Sequence, residues 1–231
     1  MPVFNVTGDV DPFLHVSLAK GEKIYCESNA MVMMETNLEL KGKMTGGIGA
    51  ALMRTFANGE SFFQQHIEAM RGDGDCLLSP TLPGAMRVLD VGAQQYMISD
   101  GAFVAASAGV ELKVRTQSLG NALFAQSGGF FITETAGSGQ LAVSGFGAMS
   151  ILEVTPGKDV VIDNSHVVCW DNRLQYEISM TTGSSGGFLG NLINSQTSGE
   201  GVVLKFSGTG KILVCSRNRA AFLAWTQSKP A

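Results

Sequence analysis

The side chains able to make or break bonds are few in this chain, and their spacing keeps them apart. Three histidines, His15, His66 and His166, stand at separations that form neither a His-x-x-x-His nor a His-Glu pair, so no metal-ligand face emerges. Each is expected to be a satisfied structural group, with His166 filling the slot that Phe103 and Met31 fill in aligned copies of a repeat. Asp73 and Asp75 alternate as in a calcium loop, but no bidentate glutamate follows at loop spacing. Their counterparts elsewhere, Ser138 with Gln140 and Thr209 with Lys211, cannot form a like site, so a polar hairpin tip is expected. Gly208 to Lys211 ends in Gly-Lys without the glycine six residues before the lysine that a phosphate loop needs. Ser144 lacks the first glycine of a nucleophile elbow. Cys26, Cys76, Cys169 and Cys215 lie in or beside apolar runs with no Cys-x-x-Cys, which predicts buried, reduced, inert thiols in a cytosol-like compartment. The expectation is a protein that is not an enzyme and has no catalytic residues, bound metal or cofactor.

The elements that must carry these residues come in threes. Glu27 to Lys41 aligns without a gap with Ser99 to Lys113, 72 positions on, and a third copy begins at Ile162 and slips by about one residue. A second block ends each copy in a Gly-x-Gly turn, at Gly72, Gly137 and Gly208, followed by an apolar run. A third block matches Gly84 to Val91 with Gly147 to Val154. Fixed order in three blocks marks internal repetition. Within each copy apolar residues alternate with polar ones: Leu38 and Leu40 in the first, Val110, Leu112 and Val114 in the second, Leu174, Tyr176, Ile178 and Met180 in the third. A period of two buries one face of an antiparallel strand and wets the other. Ser28-Asn29, Asp100-Gly101 and Asp163-Asn164 stand where tight hairpins need positive φ. The chain therefore reads as a single all-β domain of three β-repeats, approximately 12–82, 83–146 and 147–216, with a C-terminal tail at 217–231 expected as a terminal strand or short helix. Three glycine-bearing apolar stretches, Gly46 to Phe56, Leu119 to Phe124 and Gly186 to Ile193, are expected as short helical insertions; Ile48, Leu52 and Phe56 have helical spacing.

Composition excludes several classes. Of 231 residues, 16 are Lys or Arg and 20 Asp or Glu, a formal charge of −4, so nothing pulls nucleic acid or anionic lipid to the whole surface. The basic residues are interleaved with acids, and the phenylalanines sit on apolar faces, so no nucleic-acid partner is expected. A hydrophobic share of 45% suffices for a large core and excludes a disordered tail. No apolar run approaches the roughly 18 residues of a spanning helix, and the start lacks the pattern of a signal peptide. The expected location is cytoplasmic, or peripheral to a membrane.

The order of blocks also resembles a family. Pro12 to Glu22, the Gly-Gly-x-Gly-x-x-Leu-x-Arg stretch from Gly46 to Arg54, then Gly59 to Phe63 and Gly72 to Gly74, are similar to the mitochondrial-biogenesis (altered inheritance of mitochondria) family, over about residues 3–216. The resemblance implies three fused units similar to the tryptophan RNA-binding attenuation protein, a cupin-like double-stranded β fold. It also implies a homotrimer in which nine units close a ring, and an inner-membrane association in the eukaryotic branch. It carries over no catalytic residue, and the attenuation protein's RNA and tryptophan sites do not transfer.

The leading expectation is a non-enzymatic oligomeric scaffold, self-associating and presenting a surface to a protein complex or a membrane face. The candidate contact surface is Ile48, Leu52, Met53, Phe56, Phe188 and Leu189, with packing between units or subunits as the competing role. The alternative is a small-ligand binding module in a cupin-like β barrel; a third class, an enzyme using a metal within the barrel, has few histidines to support it.

Overall fold

A computed structural model of the chain describes residues 1–42, 65–116, 131–180 and 202–228. A leading strand β1 (Val3–Thr7) precedes a first set of six: β2 (Phe13–Leu18), β3 (Lys23–Cys26), β4 (Met31–Met34), β5 (Leu38–Gly42), β6 (Gln65–Ala69) and β7 (Gly74–Leu78). The second set is β8 (Met86–Val91), β9 (Tyr96–Ser99), β10 (Phe103–Ser107), β11 (Val110–Thr116), β12 (Phe131–Gly137) and β13 (Gly139–Ser144). The third is β14 (Met149–Val154), β15 (Val160–Asp163), β16 (Val167–Asp171), β17 (Gln175–Met180), β18 (Val202–Ser207) and β19 (Gly210–Cys215). The tail forms a helix, α1 (Arg219–Ser228).

The four sheets have the orders β1-β2-β7-β4, β5-β6-β3-β10-β13-β8, β11-β12-β9-β16-β19-β14 and β15-β18-β17. Within each set the fourth strand pairs the fifth and the fifth pairs the second, while the third pairs the sixth and the sixth pairs the first. The repetition extends to irregularities. The third strand of every set bulges against its sixth, between Met31 and Met33, Phe103 and Ala105, and Val167 and Cys169. The extra residue is a valine each time: Val32, Val104, Val168. Bulges bend a strand and raise its twist, so each set curves at the same point.

Each set is a two-layer sandwich of three strands on three, and the two inner sheets each join a layer of one set to a layer of the next. The first core, with Leu14, Val16, Ile24, Ile67 and Val104, lies between the first and second sheets. The second, with Ile98, Phe103, Leu141 and Leu213, lies between the second and third. The third gathers Ile132, Trp170, Leu204, Phe206 and Ile212. Trp170 meets Tyr176 and Phe206 edge-on, with centroids at 5.2 and 5.4 Å. No sheet of the described strands closes on itself, so the architecture is a row of open sandwiches and not the β barrel of the ligand-binding alternative. The reason is chain sharing: β3 pairs onward with β10, and β9 with β16, instead of curling back within their own set.

Two hairpins have the expected positive φ, Asn29 at 69° and Gly101 at 75°. The third does not: Asp163 stays at φ −59° and its Oδ1 accepts from the Ser165 amide, capping a short 3₁₀ turn over Asn164–His166. That turn supplies the one-residue slip. Val167, not His166, therefore occupies the ladder position of Phe103 and Met31. His166 lies half-buried with Nδ1 at 2.8 Å from the Cys215 carbonyl, a satisfied structural role. The apolar stretches Gly46–Phe56, Leu119–Phe124 and Gly186–Ile193 lie outside the described residues.

Candidate functional site

Residues singled out for chemistry by type take structural positions. All four cysteines are buried and free. Burial pushes the thiols of Cys26, Cys76 and Cys169 up to about 12, so almost none is the nucleophilic thiolate at neutral pH. Asp73 Oδ1 accepts from the Lys20 amide at 2.7 Å, as a hairpin tip does. Ser144 is buried within its strand end, its amide bonded to the Ala102 carbonyl. Among the described residues no three His, Cys, Asp or Glu side chains converge. The candidate contact residues Ile48, Leu52, Met53, Phe56, Phe188 and Leu189 lie outside the described residues. Their flanks do not: residue 42 pairs with 65, 116 with 131 and 180 with 202, so each apolar stretch departs from and returns to the same strand end of its set.

Features that residue type did not signal lie at sheet edges. The second strand of each set pairs onward with the third strand of the next, and this succession runs out at both ends of the chain. Among the described residues, only β15 of the second strands pairs with no following set, and only β4 of the third strands pairs with no preceding one. Both edges keep apolar side chains in water. Val32 is 53% and Met33 40% exposed on β4, and Val161 is 41% exposed on β15. An unpaired edge of this kind is a template for another strand. Comparing the three copies at these positions, rather than reading each for periodicity, is the signal that finds them.

The internal junctions show how an edge is completed. At β9–β16, Ile98 faces Cys169, Met97 faces Trp170 and Tyr96 faces Asp171. The Asn172 amide donates to the Gln95 carbonyl at 3.0 Å. Asp171, 4% exposed, accepts from Arg173 Nε at 3.0 Å and Nη2 at 2.6 Å, and Nη2 also reaches Gln94 Oε1 at 2.8 Å. Burial alone would raise the Asp171 carboxyl; the Arg173 and Gln94 hydrogen bonds and the Arg173 charge outweigh it and hold it below the usual range. One buried carboxylate thus orients an arginine that clasps the neighbouring set.

Beside this clasp is an open cleft of about 760 Å³, with Leu89, Tyr96, Ile151 and Leu213 as its apolar wall and Glu153 and Lys211 on its rim. Lys211 Nζ lies 3.5 Å from Glu153. A smaller cleft of about 390 Å³ occupies the matching place on the first set. There Ser17, Leu18, Glu35, Asp73 and Asp75 stand where the third set has Glu153, Val154, Asp171, Thr209 and Lys211. The first cleft is acidic where the third is mixed in sign.

Comparison with known proteins agrees with this architecture. A family model described as mitochondrial biogenesis AIM24 matches residues 4–217. An uncharacterised protein of Streptococcus pyogenes serotype M6 is 36% identical over 219 residues, spanning 91% of this chain and 84% of that protein. A crystal structure of a structural-genomics target from Streptococcus pyogenes matches with TM-score 0.80 at 30% identity, covering 98% of this chain and 99% of that one.

Proposed function

The chain belongs to the mitochondrial biogenesis AIM24 family, and from that premise we propose that it is a non-enzymatic oligomeric scaffold whose copies join end to end. The observation that carries this reading is the pair of complementary open edges, β15 and β4. Each internal junction supplies a template for joining them. Cys26 faces Ala105 and Ile98 faces Cys169, so by position Ile162 faces Met33 of the next copy, with Val161 facing Met34 and Val160 facing Glu35. In the same frame Lys158 takes the place of Gln94 and approaches Glu35 in the acidic cleft, an attraction of opposite charges. Burying Val32, Met33 and Val161 favours the contact by about 25 cal/mol per Å² of apolar area removed from water.

A junction between unlike edges is heterologous, so it closes into a ring when the rotation per copy allows. A homotrimer of nine sandwich units, as the family resemblance implies, leaves neither β4 nor β15 open. Because residues 42, 116 and 180, from which the three apolar stretches leave, stand at equivalent strand ends, ring closure repeats that side of the sets around it. That is the surface proposed to meet a protein complex or the face of a membrane, from a cytoplasmic location. No helix among the described residues is long and apolar enough to cross a bilayer. The cleft gives little support to a small charged ligand, since Arg173 is already held by Asp171 and Lys211 by Glu153.

Light scattering on the purified chain tests the reading. The expected mass is a multiple of the monomer that collapses toward the monomer in Val161→Lys, which sets a charge on the β15 edge while leaving a surface residue exposed. A monomeric parent, or an unchanged mass in Val161→Lys, sinks it. Flotation with liposomes, lost in Leu52→Asp and Phe188→Asp, separates a membrane-facing scaffold from a protein-facing one.

A further inference from the structure

Among the described residues one seat at a sheet edge is filled and its counterpart is not, and the first shows what fits the second. Strand β1 adds itself to the outer edge of β2, with Phe4 opposite Val16. Phe4 is 4% exposed and belongs to the core against which Val88 of β8 packs. Its amide, turned away from β2, donates to Gln140 Oε1 on β13 at 3.0 Å. So the edge of a first-position strand, together with the face of the next set, forms a seat for an extended segment with one bulky apolar residue.

The same seat recurs one set further along, and there it holds no strand of the described residues. β8 is the terminal strand of its sheet, as β2 would be without β1. By ladder position Val16 corresponds to Leu89, Val88 to Ile151, Ala142 to Leu213 and Gln140 to Lys211. All four of these replacements line the open cleft. Ile151, whose counterpart Val88 packs against the core, is 40% exposed.

We propose that the edge of β8 and the cleft beside it form a binding site for an extended peptide segment of a partner protein, taken up as an added strand with a bulky apolar residue opposite Leu89. Main-chain hydrogen bonds along β8 supply affinity and the cleft supplies side-chain selection, the logic of strand addition. The rim chemistry specifies the peptide further. Where Gln140 offers one carboxamide to the backbone, Lys211 and Glu153 offer an ammonium and a carboxylate, a donor for a carbonyl and an acceptor for an amide. In the β1 register the second residue after Phe4 is Val6, opposite Leu14; on β8 the facing residue is the exposed Arg87. An acidic residue two places after the apolar anchor therefore meets a cation. This inference concerns a different edge from β4 and β15 and stands apart from end-to-end assembly.

The test uses fluorescent peptides and the full chain. The probes are the sequence of residues 1–7 of this chain, the same peptide with Val6→Asp, and that acidic peptide with Phe4→Ala. Anisotropy is expected to show saturable binding, tighter at least threefold for the acidic probe at low salt and weakened at least tenfold without the phenylalanine. The exposed Ile151→Asp variant, with folding verified by circular dichroism, is expected to lose at least tenfold. Absence of saturable binding overturns the proposal. So does binding that survives Ile151→Asp, because the probe has then displaced β1 from its own seat.

Discussion

At the scale of residues, titratable groups report on packing rather than on chemistry. Glu27 is half-buried between the first two sets, and desolvation, with the nearby Asp100 charge adding to it and Arg219 opposing it, lifts its carboxyl to about 7. An acid raised in the folded state binds its proton more tightly there than when unfolded. Its stabilisation is complete below the unfolded value of 4.5 and is withdrawn as pH rises through about 7. Glu27→Gln keeps the shape without the charge, so its melting temperature is expected to exceed the parent's at pH 8 and to approach or fall below it at pH 5. A difference independent of pH would show that the Glu27 charge carries no folding cost. Asp171 has the opposite sign: its depressed carboxyl stabilises at neutral pH and fails on acidification. Neither shift was legible in the sequence, because Asp100 lies 73 positions from Glu27 and Gln94 lies 77 from Asp171, and only folding brings them together.

Elements show where glycine is required and where it is merely convenient. Gly84, just before the second set, and Gly147, just before the third, pair as a bridge, with the Ala85 amide on the Gly147 carbonyl at 2.7 Å. A Cβ on Gly84, at φ 152°, would fall inside contact distance of the Gly145 carbonyl oxygen and the Gly147 backbone. Gly101, at φ 75°, has nothing within 4 Å of a built Cβ. Gly84→Ala is therefore expected to cost about 3 kcal/mol, at the top of the ordinary range for one substitution, and Gly101→Ala about 1 kcal/mol of backbone strain alone. Urea denaturation measures both; equal losses would mean that the bridge tolerates a side chain. The matching Gly84 and Gly147 blocks were visible in the sequence as a repeat, whereas their mutual contact was not.

The whole molecule is a row of sandwiches whose sheets run from one set into the next. Sharing a sheet couples neighbours more strongly than stacking separate domains would. Ile67, wholly buried in the first core, pairs with Ile24 on β3, and β3 pairs with β10 of the second set. Ile67→Ala is expected to cost about 2–5 kcal/mol and to speed amide hydrogen exchange in β10 as well as in β3 and β6. Exchange confined to the first set would mean that the sets open independently.

The sequence by itself determined the strand-rich class, the threefold repetition and the structural fate of the cysteines, because alternation and local similarity are written in neighbouring residues. It misplaced one turn and left barrel and sandwich undecided, since whether a strand pairs back or onward costs nothing locally and is decided by its partner. Which edges stay open, which cleft β1 fills and which it leaves empty came only from the tertiary structure. Those properties belong to pairs of strands as far apart as Phe4 and Gln140, 136 residues, and no local window of sequence contains both members.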